Sequence, residues 1–376
     1  MKLKKVIIYL LTVCSLIVFF TLTASCEDKS ESEKELEKIT QDIFDCLDDE
    51  TKQLLSDFGI ESLDYNAVFD FSFSNFWSVI KKEISNSSGD NKSFFFKTLA
   101  MLIILITINT IQPKDKNSGI VSDIFTMIVI LYMTSSLSDI FTMLVTAFNL
   151  TSKFMLTYIP ILTVIVSLSG NITSSAIYSS AAVGLAETLS ALANDLLLPL
   201  MGVYFGVIIS LSFNDGLDSE KINSSIQKAV SGIISFLSLI FTFILSVKNV
   251  LAKDVDTVLY KSGKYIIANA IPVVGSAVSS ILNSIIGSVS LIKSTIAIFA
   301  IIAVVLINLP VLIRLTISYF SLYLLGLVGD LFGEKRASNI IRSFSQSVKI
   351  MAVLVIFELV LVIITTGLVI SVRGEM

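Results

Sequence analysis

Long runs of apolar residues are the feature that most constrains how this chain can fold. Residues Thr295 to Ile313 are almost all apolar, and comparable stretches recur from Phe94 nearly to the end of the chain. A helix needs ~20 apolar residues to cross a bilayer, and its backbone polar groups must be hydrogen-bonded within the segment. The sequence therefore predicts an all-α, polytopic helical membrane protein, with about six to eight spans between residues 94 and 376.

The candidate spans share a high apolar content and a length near that of a bilayer crossing. They are Phe94–Ile111, Ile120–Leu137, Phe154–Leu168, Ala176–Phe213, Val230–Val247, Ile266–Ile292, Thr295–Leu327 and Val348–Ile370. Ala176–Phe213 fits one span or two, and Thr295–Leu327 fits one tilted span or two short ones broken near Pro310. Segments that carry lysine or arginine near 114–116, 248–264 and 335–349 are predicted to face the cytoplasm.

The N-terminus has the organisation of a secretory signal peptide. Lys2, Lys4 and Lys5 precede an apolar core, and small residues lead up to Cys26. Cleavage within residues 1–26, acylation of Cys26 and retention as an uncleaved anchor all remain open. Each of these outcomes places the following residues outside the cytoplasm.

An acidic segment follows the predicted signal peptide. Residues 27–70 hold fifteen Asp and Glu side chains and four Lys, although the whole chain has a net charge of only −4. Apolar residues recur at helical spacing between these acids. We therefore predict a small acidic, helical, extracytoplasmic segment over residues 27–93, which is too short for a substantial core and leans on the membrane domain or a partner.

The composition argues against an enzyme. The chain has no histidine, which removes the commonest general base and metal ligand. The three cysteines form no CxxC pair, and neither an HExxH motif nor a phosphate-binding loop is present. We predict no catalytic, cofactor-binding or metal-binding residues and no nucleic-acid partner, because no basic run is interleaved with aromatics.

A four-residue repeat of small or polar side chains marks the segment after residue 270. Residues four apart share one face of a helix, so the repeat predicts either close helix packing, an oligomeric or conduit-lining face, or no special role. Proline disfavours helical geometry in the preceding residue, which makes 266–292 a candidate for a kinked or re-entrant segment. The residues of this hypothesis are Pro272, Gly275, Ser279, Asn283 and Gly287.

Three ionisable residues are predicted to lie deep in the membrane domain. Glu187, Arg314 and Glu358 interrupt apolar stretches, and a charge in hydrocarbon is costly without a partner or access to water. Arg314 could pair with either glutamate, and the sequence does not choose between them. The simpler interpretation is a structural ion pair, or side chains that extend to the membrane surface.

The organisation resembles the stage III sporulation protein AE family of endospore-forming bacteria. The most specific stretch begins with a basic loop near Lys248, continues through Ile271-Pro272-Val273-Val274-Gly275 and ends at Leu291-Ile292-Lys293. The Leu54-Leu55 region and the later Leu324-Leu325-Gly326 and Gly329-Asp330 also fit. The resemblance covers essentially the whole chain.

The resemblance implies a function. It implies a structural or conduit subunit, in the mother-cell membrane around the forespore, of a channel complex needed for forespore development. The partners it implies are other membrane subunits, ring-forming proteins and a separate ATPase. The apolar runs and the four-residue repeat add membrane lipid and a second copy of the chain as expected partners. The alternative from a different class is an ion-coupled secondary transporter that uses Glu187, Arg314 and Glu358.

Overall fold

The computed structural model describes residues 47, 49–57, 73–111, 119–168, 171–212, part of 221–243, and 275–371. Within some helices, as over 275–292, the backbone alone is described. The predicted signal peptide, most of the acidic segment before residue 73, and Pro272 lie outside these residues. Helices are the only regular structure in the described ranges, which confirms the all-α class.

The α-helices of the described ranges are numbered in chain order. They are α1 (Asp49–Asp57), α2 (Phe73–Ile111), α3 (Gly119–Leu168), α4 (Ile172–Ala191), α5 (Leu198–Ser212), α6 (Gly275–Leu331) and α7 (Lys335–Ser371). A π-helix, Leu192–Leu197, joins α4 to α5.

Four stretches within the described helices are long and apolar enough to cross a membrane. They are Asn91–Ile111, Ile120–Ser167, Lys293–Leu331 and Lys335–Gly367. The expected spans Val230–Val247 and Ile266–Ile292 fall largely where side chains are not described, so the total number of spans stays a prediction. The four stretches alone define a helical membrane protein.

The helices are longer than the sequence pattern indicates. The expected spans Ile120–Leu137 and Phe154–Leu168 belong to one continuous helix, α3, of 50 residues. Serines and threonines between them suggest a break, but Thr142 and Thr146 donate hydrogen bonds to the carbonyl oxygens four residues earlier, at 3.0 and 2.9 Å. Because the helix itself satisfies these hydroxyls, the polar stretch does not interrupt it.

Helix α6 is also continuous, over 57 residues with Pro310 in its interior. At 1.5 Å per residue, α3 and α6 are about 75 and 85 Å long, against ~30 Å for a hydrocarbon core. Since the backbone is helical from Gly275 onward, a kink at Pro272 would lie outside the described residues.

Helix α6 forms the centre of the bundle. It packs most extensively against α7, and then against α3, α2 and α1. Of the most apolar window in Lys293–Leu331, 83 % is buried inside the protein, compared with 22 % for Asn91–Ile111 in α2. The most apolar helix is therefore shielded by other helices rather than left on the outside.

A tight turn joins α6 to α7 as an antiparallel hairpin. Gly333 adopts φ 78°, and the amide of Glu334 donates to the carbonyl of Gly329 at 3.0 Å. A side chain is disfavoured at such a φ, while glycine adopts it freely. The two helices approach closely at Gly329, where a Cβ would meet the Ser338 Cα at 3.3 Å.

We predict that Gly333→Ala lowers the stability of the folded protein by ~1–2 kcal/mol, because alanine pays a steric cost in the left-handed region. A Cβ at Gly333 would meet nothing within 4 Å, so the effect isolates the backbone. Thermal unfolding of the purified protein in detergent measures the change. Gly206→Ala is the control, since it also adds a Cβ to open space, but inside α5. Equal melting temperatures for the two variants would contradict the prediction.

Candidate functional site

A buried polar cluster lies where α3, α6 and α7 meet. Thr151 of α3, Asn308 of α6 and Glu358 of α7 are each 0 % exposed. The Asn308 Nδ2 donates to Thr151 Oγ1 at 3.1 Å and to the Val304 carbonyl oxygen at 3.1 Å. Three helices thus direct polar side chains to one point in an otherwise apolar interior.

The hydrogen bonds of Asn308 fix the orientation of its amide. A carbonyl oxygen only accepts, so the group that faces Val304 must be the amide nitrogen. The Asn308 Oδ1 then has no hydrogen-bond donor among the described residues. This places an unused acceptor inside the cluster.

Glu358 adds two more acceptors. The Thr151 and Asn308 side chains lie beside its carboxyl group, yet neither carboxyl oxygen receives a hydrogen bond of normal geometry from the described residues. A buried carboxylate is very costly unless it is neutralised. The cluster therefore has more acceptors than donors, with a carboxyl group at its centre.

A second set of buried hydroxyls lies further along α3 and α7, where these helices meet α4. Tyr158 of α3, Tyr178 of α4 and Thr366 of α7 are buried, and Tyr178 faces both of the others. None of the three hydroxyls makes a hydrogen bond of normal geometry within the described residues. Tyr158 follows Thr151 by two helical turns, so polar groups continue along one face of α3.

A small cavity of about 50 Å³ lies between α1, α3 and α6, one helical turn from the Glu358 cluster, whose three residues do not line it. Ala147 lies one turn before Thr151 on α3, and Val311 lies one turn after Asn308 on α6, and both residues line the cavity. Helix α1 closes it with Thr51 and Leu54. The other lining residues are Met143, Thr146, Leu150, Leu306, Ile307 and Pro310.

A larger cavity, of about 340 Å³, lies between α2, α3 and α6. Its charged lining residues are Lys97, Asp139 and Arg314. At its edge the Ser318 hydroxyl donates to Asn91 Oδ1 at 3.0 Å. This cavity is polar but lies away from Glu358, because Arg314 is six residues, or ~9 Å of helix rise, beyond Asn308.

Charged residues gather at the end of the bundle that holds the α6–α7 turn. Arg336 pairs with Asp123 at the start of α3, with 2.5 Å between its Nη1 and the carboxylate oxygen. Asn109, near the end of α2, donates to Glu334 at 2.9 Å. Arg342 pairs with Asp330. The end of α2, the start of α3 and the α6–α7 turn therefore meet at one end of the bundle, which we name the basic end.

The Glu358 cluster lies far from the basic end. Glu358 is 22 residues beyond Arg336 on α7, which corresponds to ~33 Å of helix, about the thickness of a hydrocarbon core. Helix α1 packs at the same level, because it contacts α6 around Leu306 and Pro310. Helix α1, which is the helix described in the acidic segment before residue 73, and the buried carboxyl group thus lie at the same level, away from the basic end.

The structure separates the three ionisable residues that the sequence groups together. Glu358 is buried, Arg314 is partly buried at the larger cavity, and Glu187 is exposed on α4. No ion pair among the described residues joins Arg314 to Glu187 or Glu358. Of the helix-packing hypothesis, Gly275, Ser279, Asn283 and Gly287 lie on the backbone of α6, and their side chains are not described.

Sequence reasoning missed Asn308 and Thr151. A usable signal for Asn308 existed, because it is the one amide in the apolar run from Thr295 to Ile313. Thr151 carried no such signal, since threonines are common on α3 and most of them bond to their own helix. No group of three or more Cys, Asp or Glu side chains in the described ranges could hold a metal ion.

The fold and this interior define a helical membrane protein whose central helices enclose polar groups. A family model described as "Stage III sporulation protein AE (spore_III_AE)" matches residues 60–373. The chain therefore belongs to the stage III sporulation protein AE family, as the resemblance in its sequence predicts.

A curated relative agrees with the family. Stage III sporulation protein AE of Bacillus subtilis (strain 168) is 23 % identical over 206 residues, which cover 54 % of this chain and 51 % of the relative. The match thus spans about half the length of that relative. No solved structure matches the chain.

We predict that Thr151→Val lowers stability by ~1–3 kcal/mol, because it removes the acceptor for Asn308 and leaves buried polar groups unsatisfied. Thr157→Val is the matched control, since Thr157 is exposed on the same helix and its hydroxyl bonds to the Lys153 carbonyl. Thermal unfolding in detergent compares the two. Equal stability of both variants would show that the cluster contributes nothing to the fold.

Proposed function

We propose that this protein is a structural or conduit subunit of a sporulation-specific secretion or feeding channel that links mother cell and forespore and is needed for forespore development. The observation that carries the proposal is the family match over residues 60–373, which includes all four long apolar stretches. A subunit of this kind needs shape and contact surfaces rather than chemistry of its own, so we propose no enzymatic activity.

The outer surface of the bundle supports a role within an assembly. Large apolar side chains are exposed along α2 and α3, among them Phe96, Ile104, Ile124 and Leu131. In a membrane, such a face contacts lipid or the helices of neighbouring subunits. The family resemblance supplies the candidate neighbours, which are the other membrane subunits of the complex, ring-forming proteins, or a second copy of this chain.

We place the protein in the mother-cell membrane around the forespore, with residues 27–93 outside the cytoplasm. The basic end supports this orientation, because lysine- and arginine-rich loops favour the cytoplasmic side. Helix α1, which belongs to the acidic segment, packs ~33 Å from that end and would face the space between the two membranes. A separate ATPase would supply energy for transport from the cytoplasmic side.

The small-residue repeat on α6 is the candidate contact or conduit surface. Gly275, Ser279, Asn283 and Gly287 recur every four residues on one continuous helix, so they trace one winding stripe. Small side chains allow a second helix to approach closely. The stripe precedes Lys293, from which the side chains of α6 are described, and the part of α6 from Lys293 to Leu331 is largely buried.

A chain-specific deletion in the spore-forming host tests the proposal. We expect engulfed forespores to arrest and heat-resistant spore counts to fall by orders of magnitude, and we expect the intact gene to restore them. Cross-linking in sporulating cells, followed by purification of the tagged protein, should recover other membrane subunits. Normal spore counts after deletion would overturn the role in forespore development.

Substitutions within the stripe test its role. Gly275→Leu and Gly287→Leu place a bulky side chain where close approach is needed, so we expect weaker cross-linking to partners and fewer spores. Gly206→Leu is the control, because a Cβ there meets nothing within 4 Å. Normal assembly in both stripe variants would remove the stripe from the contact surface.

The buried Glu358 favours one alternative, an ion-coupled secondary transporter. Of the three charges that suggested this class, the structure places only Glu358 in the fully buried interior. Vesicles that contain this protein alone distinguish the two functions. Solute uptake driven by an ion gradient would favour the transporter, whereas its absence, together with recovery of partner subunits, favours the channel subunit.

A further inference from the structure

We propose that Glu358, Asn308 and Thr151 form a proton-exchange site, and that helix α1 covers the route by which protons reach it. The proposal goes beyond the channel role, and it depends on the cluster and the cavity rather than on family membership.

The cluster has more hydrogen-bond acceptors than donors, which points to a protonated Glu358 carboxyl group. Both hydrogens of the Asn308 amide are used, one by the Val304 carbonyl and one by Thr151 Oγ1. The acceptors left over are both Glu358 oxygens and Asn308 Oδ1. A proton on Glu358 would turn one acceptor into a donor and give Asn308 Oδ1 the partner that it lacks.

A proton fits this cluster better than a metal ion. The cluster offers a single carboxyl group, one amide oxygen and one hydroxyl, whereas hard metal cations take roughly six oxygen ligands. A neutral carboxyl group is also far cheaper to bury than a carboxylate. The Thr151 side chain lies beside the carboxyl group, so its hydroxyl can turn to donate to the ionised form when the proton leaves.

Within the ranges that the structure describes, no charged group forms a hydrogen bond or an ion pair with Glu358. The nearest in sequence on each helix are the exposed Lys153 on α3, the exposed Glu187 on α4, Arg314 at the larger cavity on α6, the half-buried Lys349 on α7, and Asp49 and Lys52 on α1. Among the titratable hydroxyls, Tyr158 lies two helical turns beyond Thr151 on α3, and Tyr178 faces it. The carboxyl group is therefore neutralised most simply by its own proton.

The cavity under α1 provides the route. Its volume of about 50 Å³ admits a few water molecules, and it lies one helical turn from the Asn308–Thr151 hydrogen bond. Helix α1 has only nine residues, and its sequence carries three acids and one lysine. A short helix held by a few buried side chains can open locally while the bundle stays folded.

Carbodiimide labelling of the purified full chain tests the site. Dicyclohexylcarbodiimide, an apolar reagent, reacts with protonated carboxyl groups: the oxygen bonds to the carbodiimide carbon, and the proton passes to nitrogen. We expect peptide mass spectrometry to find the adduct at Glu358, with a yield that falls as the pH rises. The exposed Glu187 is the internal control and should remain unlabelled.

Two results would overturn the proton assignment. One is the absence of an adduct on Glu358 at every pH tested, both in the unchanged protein and in the Leu54→Ala variant of α1. The other is protection by sodium chloride, relative to choline chloride at the same pH, which would mean that a metal cation occupies the oxygens instead. Labelling that depends on pH and ignores sodium supports the site.

A substitution in α1 tests whether this helix controls access to Glu358. Leu54→Ala removes a buried contact that closes the cavity, so we expect Glu358 to be labelled at least about tenfold faster. Gln53→Ala, on the exposed side of the same helix, should leave the rate unchanged. Equal rates in the two variants would show that α1 does not control access, whether or not Glu358 holds a proton.

Discussion

The burial of α6 between its neighbours is the contact on which the rest of the structure depends. An apolar helix of this length is stable only when other helices or lipid keep water from it. Here α7, α3 and α2 cover it, and the tight turn at Gly333 brings the 37 residues of α7 back along the C-terminal part of α6. Helices α3 and α2 pack against the parts of α6 that α7 leaves uncovered.

That shielding also makes the polar interior possible. Thr151, Asn308 and Glu358 would each be costly in lipid, but within the bundle their helices bring them to one point. A carboxyl group in that position is conspicuous, because a leucine would pack there at less cost. Its presence is the strongest sign that the bundle does more than hold its shape.

Much of the fold could be predicted from the sequence, but little of the site. Apolar runs predict the all-α class because a membrane leaves few other solutions. The lengths of α3 and α6 could not be read from them, since threonines that bond to their own helix resemble a loop in the sequence. Glu187 and Glu358 both interrupt apolar stretches, and tertiary packing alone decides that one is exposed and the other buried.

The length of α6 determines how far the fold can extend beyond the membrane. At about 85 Å it exceeds the hydrocarbon core by ~55 Å, and its neighbours rather than lipid cover most of its apolar part. An apolar helix that is covered by other helices can extend beyond the bilayer without contact with water. On the side of the bundle where α1 packs, such a helix would extend the fold beyond the lipid surface.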